Sequence, residues 1–247
     1  MAERVEVHAI DCIGERLYRA HISRPEVALK EDILQLLGDT KGSEKTEKFS
    51  LRFLLSEWED VVDAWQLQAW EEYRDVKRLG RKTRLSEQQR AALWEIFETV
   101  KIRLSEKGLV TRAAVFSRLA QELGNRKQPP FDFAVVDEAQ DINVPQLRFL
   151  SALGGDRPNA LFFAGDLGQR IFQTPFSWKS LGIDVRGRSR TLRLNYRTSH
   201  QIRMQADRLL GFQVTDVDGN VEDRRGTVSV FNGPPPVIQG FDGFDEE

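Results

Sequence analysis

The stretch "FDFAVVDEAQD", residues 131–141, places Asp137, Glu138 and Asp141 within five positions at the end of an apolar run. Burying an unpaired carboxylate is costly. The acids therefore belong at an exposed strand end, or against something that compensates them. An Asp followed by a Glu at the end of an apolar strand suits nucleotide hydrolysis. The Asp can hold Mg²⁺ through its water shell, and the Glu can orient and deprotonate the attacking water. Taken alone, such a pair more often caps the next helix. Two further apolar runs shift the balance. "NALFFAGD" finishes in Gly165 and Asp166, and "TLRLNYR" finishes in Asn195, Tyr196 and Arg197. Ligands of an open parallel sheet bind outside the carboxyl ends of its strands, so three polar strand ends point to one shared crevice.

Two basic segments offer different chemistry. "RDVKRLGRKTR", residues 74–84, carries six cations against one acid, among them Arg78, Arg81 and Arg84; "VRGRSRTLRLNYR" carries five arginines between 186 and 197. Clusters of this kind neutralise nucleic-acid phosphates with salt-dependent affinity, or sit as solvated loops. Phe172, Phe176 and Trp178 follow the second apolar run. They are either base-stacking platforms or plain core. The formal net charge of −2 gives no global attraction to a polyanion, so binding needs a local patch. Cys12 is the only cysteine, which excludes an internal disulfide and a cysteine-based zinc site. No apolar run approaches the roughly 18 residues of a membrane span, and charges interrupt the start as they would not in a signal peptide. A cytoplasmic protein is the expectation.

The elements that must position these groups follow from periodicity. "VEVHAI", residues 5–10, alternates as a short strand does, and "CIGERLYRAHI" reads as a helix. Trp58, Val62, Trp65, Ala69, Tyr73 and Val76 recur every three or four positions, which predicts one long amphipathic helix. Ser86 with Gln89 forms a capping box for the next helix, and Gly108 ends it. A third helix is predicted over about 112–123, and "GNRKQPP" is a linker. Beyond residue 130, "FDFAVVD" reads as a strand buried on both faces. A helix is predicted over about 144–153, capped by Asp141 or Asn143 with Pro145 in its first turn. Strands alternating with helices argue an α/β class with a parallel sheet. "GTVSVF" is one further candidate strand.

The ensemble resembles the UvrD/Rep/PcrA-like helicases of superfamily one. "VVDEAQD" is similar to their Walker B motif, "FFAGDLGQRIF" to their third motif and "LRLNYRTSHQI" to their fourth, in the family's order and spacing. The stretch "WEEYRDVKRLGRKTRLSEQQRAALWEIF" resembles their helical insertion, and "EVHAIDCIGERL" their DNA-contacting segment, with Asp11 where His is common. The resemblance implies an incomplete RecA-like parallel sheet with an all-helical insertion. It implies Mg²⁺ coordination by Asp137, base catalysis by Glu138, and coupling of nucleotide state to neighbouring motifs by Gln140 and Asp141. It further implies γ-phosphate sensing by Gln169, contact of Arg197 with the γ-phosphate, and stacking of Tyr196 on adenine. Phe172 stands where the family commonly has Tyr. Together with Trp178, it is the candidate for stacking on single-stranded bases. An Arg fork matches phosphate oxygens and an aromatic face suits a base.

No G-x-x-x-x-G-K-[ST] run, the phosphate-cradling P-loop, occurs in the sequence. The family's P-loop precedes the segment matching residues 5–17, and its later motifs follow those seen here. The expectation is therefore an internal piece of an ATP-dependent 3′–5′ DNA helicase, inactive alone. Its ligands would be ATP with Mg²⁺, and its partners single-stranded DNA or DNA junctions and the missing helicase parts. The expected organisation is residues 1–25 and 129–205 in the first RecA-like domain, 26–128 as the helical insertion, and 206–247 as linker and start of a second RecA-like domain. Two rivals remain. One is a degenerate helicase-like module that binds nucleic acid or a partner without turnover; the other is an ATPase of this lineage acting on RNA or RNA polymerase.

Overall fold

The computed structural model describes residues 5–40, 48–81, 83–126, 128–166, 169, 175–210, 213–223 and 225–239. The chain divides into two compact units. One comprises Met1–Gly165 with Phe172–Ile183, the other Asp166–Ile171 with Asp184–Glu247. The class is α/β: α-helices accompany small sheets, and two of the three strand pairs are parallel.

The first unit opens with α1 (Ile10–His21). The strand expected over 5–10 is not formed. Val5 and Val7 are exposed, and Glu6 instead takes contacts from His8 (3.1 Å) and Arg16. A strand needs a neighbour to satisfy its backbone, and among the described residues none lies beside this segment. Next come α2 (Lys30–Thr40), α3 (Leu51–Glu57), a π-helical stretch (Trp58–Asp63), α4 (Trp70–Asp75) and α5 (Glu87–Glu106). They close around one core in which Leu37, Leu54, Tyr73, Leu93, Phe97 and Val100 are fully buried. Each large apolar side chain contributes about 1.5–3 kcal/mol by burial.

The apolar stripe from Trp58 to Val76 is thus cut into pieces rather than carried by one helix. Gln66 adopts a left-handed conformation (φ 53°), and its amide donates to the Asp63 carbonyl (2.8 Å) and Oδ1 (2.6 Å). Glu72 then reaches back to the backbone N–H of Gln68 (2.5 Å) and restarts the helix. The capping box predicted for α5 is present: Ser86 N donates to Gln89 Oε1 (2.9 Å), and Gln89 N to Ser86 Oγ (3.3 Å). Gly108, with φ +68°, carries the chain out of the helix.

Val27 and Val110 pair as an isolated parallel bridge, with Ala28 N donating to Val110 O and Val110 N to Glu26 O, both at 2.9 Å. This pairing is a neck: the helical layer enters and leaves it side by side. The helix after the neck, α6 (Arg112–Gly124), lies inside the span 26–128 expected as the insertion. It packs instead on α1 and on α7 (Val144–Gly154). Phe116 meets Phe149 with ring centroids 5.5 Å apart. A Cβ on Gly14 would stand 2.6 Å from the Phe116 ring, so α1 approaches α6 where only glycine fits.

β1 (Ala134–Val136) pairs in parallel with β2 (Leu161–Phe163), Val135 opposite Phe162. The expected burial of both faces does not hold. Phe163 meets Trp178 at 4.9 Å on one face, while Val135 (76% exposed) and Phe162 (62%) share an open face. Between the strands, α7 begins with the predicted cap. Asn143 N donates to Gln146 Oε1 (3.1 Å), and Gln146 N to Asn143 Oδ1 (3.0 Å).

In the second unit β3 (Leu194–Asn195) pairs in parallel with β6 (Val228–Ser229), the strand expected in "GTVSVF". Thus "TLRLNYR" does not extend the β1–β2 sheet among the described residues. Helix α8 (His200–Leu210) runs through the boundary expected at 205/206, and β4 (Gln213–Thr215) forms an antiparallel pair with β5 (Val221–Asp223).

Candidate functional site

The turn after β1 is built by the sheet itself. Ala164 N donates to Val136 O and Ala139 N to Ala164 O, both at 2.8 Å, so β2 holds the chain on either side of Asp137 and Glu138. Between those anchors Glu138 is left-handed (φ 51°, ψ 43°). That conformation costs a non-glycine residue on the order of 1–2 kcal/mol and persists only where the surroundings enforce it. Asp137 Oδ1 accepts from Glu138 N (2.9 Å), Glu138 Oε2 accepts from Gln140 Nε2 (2.5 Å), and Asp141 N donates to Glu138 O (2.9 Å). Gln140 is buried, whereas Asp137, Glu138 and Asp141 are exposed. Gly165 explains how Gln140 fits: a Cβ there would lie 2.6 Å from Gln140 Oε1 and 3.0 Å from Ala139 N.

The result is an exposed carboxylate pair with one member aimed by a buried amide. Mg²⁺ keeps several waters and takes one or two carboxylates together with phosphate oxygens. An exposed Asp at a strand end fits that demand. Glu138, oriented by Gln140, can accept a proton from a water. The sequence supplies no P-loop to hold phosphates against this pair.

In the second unit Gln169 donates through Nε2 to Asp166 Oδ2 (2.9 Å) and through its backbone N–H to Asp166 O (3.1 Å). The side chain of Asn195 accepts from the backbone N–H groups of Arg197 (2.9 Å) and Thr198 (3.0 Å), a local turn of the kind Asn favours. That turn projects Tyr196, 71% exposed, and Arg197, also exposed. Tyr196 is therefore not a core aromatic.

The structure reassigns three residues predicted to face nucleic acid. Arg78 donates from Nε to Glu57 Oε1 (2.7 Å) and from Nη2 to Oε2 (2.6 Å). Arg81 donates to Glu57 Oε2 (3.0 Å) and Asp60 Oδ2 (2.8 Å). Tyr73 completes the set with its hydroxyl on Glu57 Oε1 (3.0 Å); burial and the Glu57 charge push the Tyr73 hydroxyl well above the ordinary tyrosine range. The two arginine side chains are only 6% and 13% exposed and that of Glu57 is not exposed at all. They are tied up inside the helical layer, whereas Arg84 remains exposed. Trp178 is 9% exposed and packs edge-on to Phe163, which makes it core rather than a stacking platform. Phe176 is buried as well. Phe172 lies outside the described residues.

Sequence reasoning missed Glu57 and Asp11. Glu57 interrupts the apolar face "LLSEW", and an acid on such a face is the signal that an arginine must come to it. Asp11 accepts from Gln146 Nε2 (3.1 Å) and Arg112 Nη1 (2.6 Å). It joins α1 to the N-termini of α7 and α6.

The profile of the UvrD/REP helicase N-terminal domain matches residues 12–178, about two thirds of the chain. A search of curated proteins returns no match.

Proposed function

The chain belongs to the UvrD/REP helicase family, and from that premise we propose that it carries the carboxylate and phosphate-sensing groups of the ATP site of a 3′–5′ DNA helicase. In this reading Asp137 and Glu138 form the Walker B pair. Asp137 holds Mg²⁺ through water, and Glu138 takes the proton of the attacking water. Gln140 fixes the Glu138 carboxylate, and Asp141 relays the state of the turn toward α7. Gln169 and Arg197 respond to the γ-phosphate, and Tyr196 offers its exposed ring to adenine. Bound ATP with Mg²⁺ supplies the transferable phosphoryl group and the charge that this set recognises. Phosphoryl transfer depends mainly on positioning and charge stabilisation. The observation that carries the reading is the strained, amide-locked Glu138 at the end of a parallel strand.

The absence of a P-loop run from the sequence favours a second statement: this chain alone hydrolyses no ATP above background. Groups that act as a unit lose most of their effect when one is missing. The test is steady-state ATPase with single-stranded DNA. It compares the chain, its Glu138→Gln variant, and both after fusion to the P-loop strand and helix of a UvrD-type helicase. The expected result is background turnover for the unfused pair. In the fusion, turnover should be DNA-stimulated and fall on the order of 10²-fold or more with Glu138→Gln. Turnover by the unfused chain that Glu138→Gln abolishes would overturn the P-loop argument. A fusion that binds nucleotide yet never turns over would establish a helicase-like module that binds without catalysis.

A further inference from the structure

We infer that the arginine strip of the second unit, residues 186–193, is a single-strand nucleic-acid surface, and that it takes the place of the 74–84 segment as the phosphate-binding patch of this chain. Residues 184–197 hold five arginines and one aspartate in a chain whose formal net charge is −2. The rest of the chain is therefore more acidic than the whole, and positive charge is concentrated here. The strip is also displayed. Every residue from 186 to 194 is exposed, and residues 189–193 run without regular structure into β3. Segments 74–84 and 186–197 are alike in composition, but the buried arginines of the first are committed to Glu57.

The cations of the strip are not equivalent. Arg186 is held by Asp184, with Nε on Oδ1 at 2.8 Å and Nη2 on Oδ2 at 2.5 Å, which partly neutralises it. Arg193 donates from Nη1 to the carbonyl of Arg225. A carbonyl carries no net charge, so Arg193 is fixed in place with its positive charge intact. Arg190 is exposed. Apolar surface is interleaved with these charges: Leu192 is 89% exposed, Leu194 58% and Tyr196 71%. Cations tracking a backbone beside apolar and aromatic faces are what unstacked bases on a phosphate chain require. A duplex would present phosphates alone and leave those faces unused. The inference rests on the nucleic-acid part of the proposed function and is independent of the carboxylate turn.

Fluorescence anisotropy with a labelled oligothymidylate and with a duplex of equal length, over a salt series and without nucleotide, tests it. The full chain should bind the single strand more tightly than the duplex. Arg190→Glu with Arg193→Glu should lower single-strand affinity about tenfold or more at low salt. It should also make the log–log salt slope shallower by roughly 1.4, from about 0.7 per neutralised phosphate on a single strand. Arg190→Glu alone, at an exposed position, guards against a folding defect and should give about half of that change in slope. Unchanged affinity and slope in both variants, or duplex bound more tightly than single strand, would overturn the inference. Because no ATP is present, Glu138→Gln must leave these curves unchanged. An ATPase failure and a binding failure are therefore read separately.

Discussion

Two segments of nearly the same composition meet opposite fates. Residues 74–84 and 184–197 are both short, arginine-rich and broken by glycine. In the first, Arg78 and Arg81 turn inward and saturate a carboxylate with no solvent exposure. In the second, the chain from 186 to 194 stays exposed and its acids sit at the margins. The difference does not lie in the segments. It lies in Glu57, 21 residues before Arg78 on an otherwise apolar helix face. A buried carboxylate without partners is costly, so it recruits the nearest cations the fold can deliver. The second segment has no such claimant, and its local acids, Asp184 and Asp223, are themselves near the surface. Whether a basic run contacts phosphate or stabilises a core depends on an acid elsewhere in the chain.

The largest effect should come from removing that claimant. Glu57→Ala leaves two buried guanidinium groups and the Tyr73 hydroxyl without their acceptor. It should lower the unfolding free energy by about 3–5 kcal/mol, read by urea denaturation. Replacing the set together, Glu57→Leu with Arg78→Met and Arg81→Leu, should be near neutral, because well-packed apolar residues often replace a buried ion network without loss. A triple variant as unstable as Glu57→Ala would show that the network does more than satisfy its own charges.

Arg78→Ala with Arg81→Ala comes next. It should cost about 3 kcal/mol by stranding Glu57, while leaving the salt slope of single-strand binding unchanged. A shallower slope with full stability would erase the contrast between the two segments.

Asp63 sharpens the comparison within the helical layer, because this acid has no arginine. It accepts from Thr111 Oγ1 and Gln66 Nε2, both at 2.6 Å. Burial outweighs these bonds and the attraction of Lys101, and the nearby Glu59 adds repulsion, so its carboxyl is pushed up to about 6. A raised folded value means that protonation favours the native state. The contribution is complete below about pH 4 and is lost as pH rises through about 6. Relative to Asp63→Asn, the wild-type chain should therefore lose on the order of 2 kcal/mol between pH 4 and 7. Parallel pH–stability curves for the two proteins would show that Asp63 is ordinarily solvated. The smallest effect belongs to Arg84→Ala. This exposed member of the inward segment should change single-strand affinity less than about twofold, consistent with at most one phosphate contact.

Much of the helical frame was legible because its signals are local. The Ser86–Gln89 and Asn143–Gln146 boxes lie within one turn, and both caps form where those residues fall. The parallel β1–β2 pair and the helix between them followed from alternation of apolar runs. What failed was long-range. The alternation of "VEVHAI" cannot create the neighbour a strand needs, and "TLRLNYR" reads the same whether it pairs with β2 or with β6. The apolar runs at Val135 and Phe162 promised burial on both faces, but pairing alone buries neither face of a two-stranded sheet. At the candidate site, Asp137, Glu138 and Gln140 were legible as a motif, and the structure joins them by hydrogen bonds. The left-handed Glu138 and the close approach of Gly165 were not, because backbone strain leaves no compositional trace.

The π-helical stretch Trp58–Asp63 makes this part of the chain sensitive to its own count. A π turn spaces its hydrogen bonds five residues apart rather than four, so it accommodates one residue that an ordinary α-helix would have no room for. Deleting any single residue between 58 and 63 lets the helix relax to α geometry. Everything after the deletion then rotates by about 100° relative to Glu57. Trp58, Val61 and Val62 are all buried here, and Asp63 must still find Thr111 at the foot of α6. Length is thus a specified quantity in this helix, as residue type is elsewhere. A one-residue gap that a surface loop would absorb should here unseat both the Arg78–Glu57 pair and the Asp63–Thr111 contact at once.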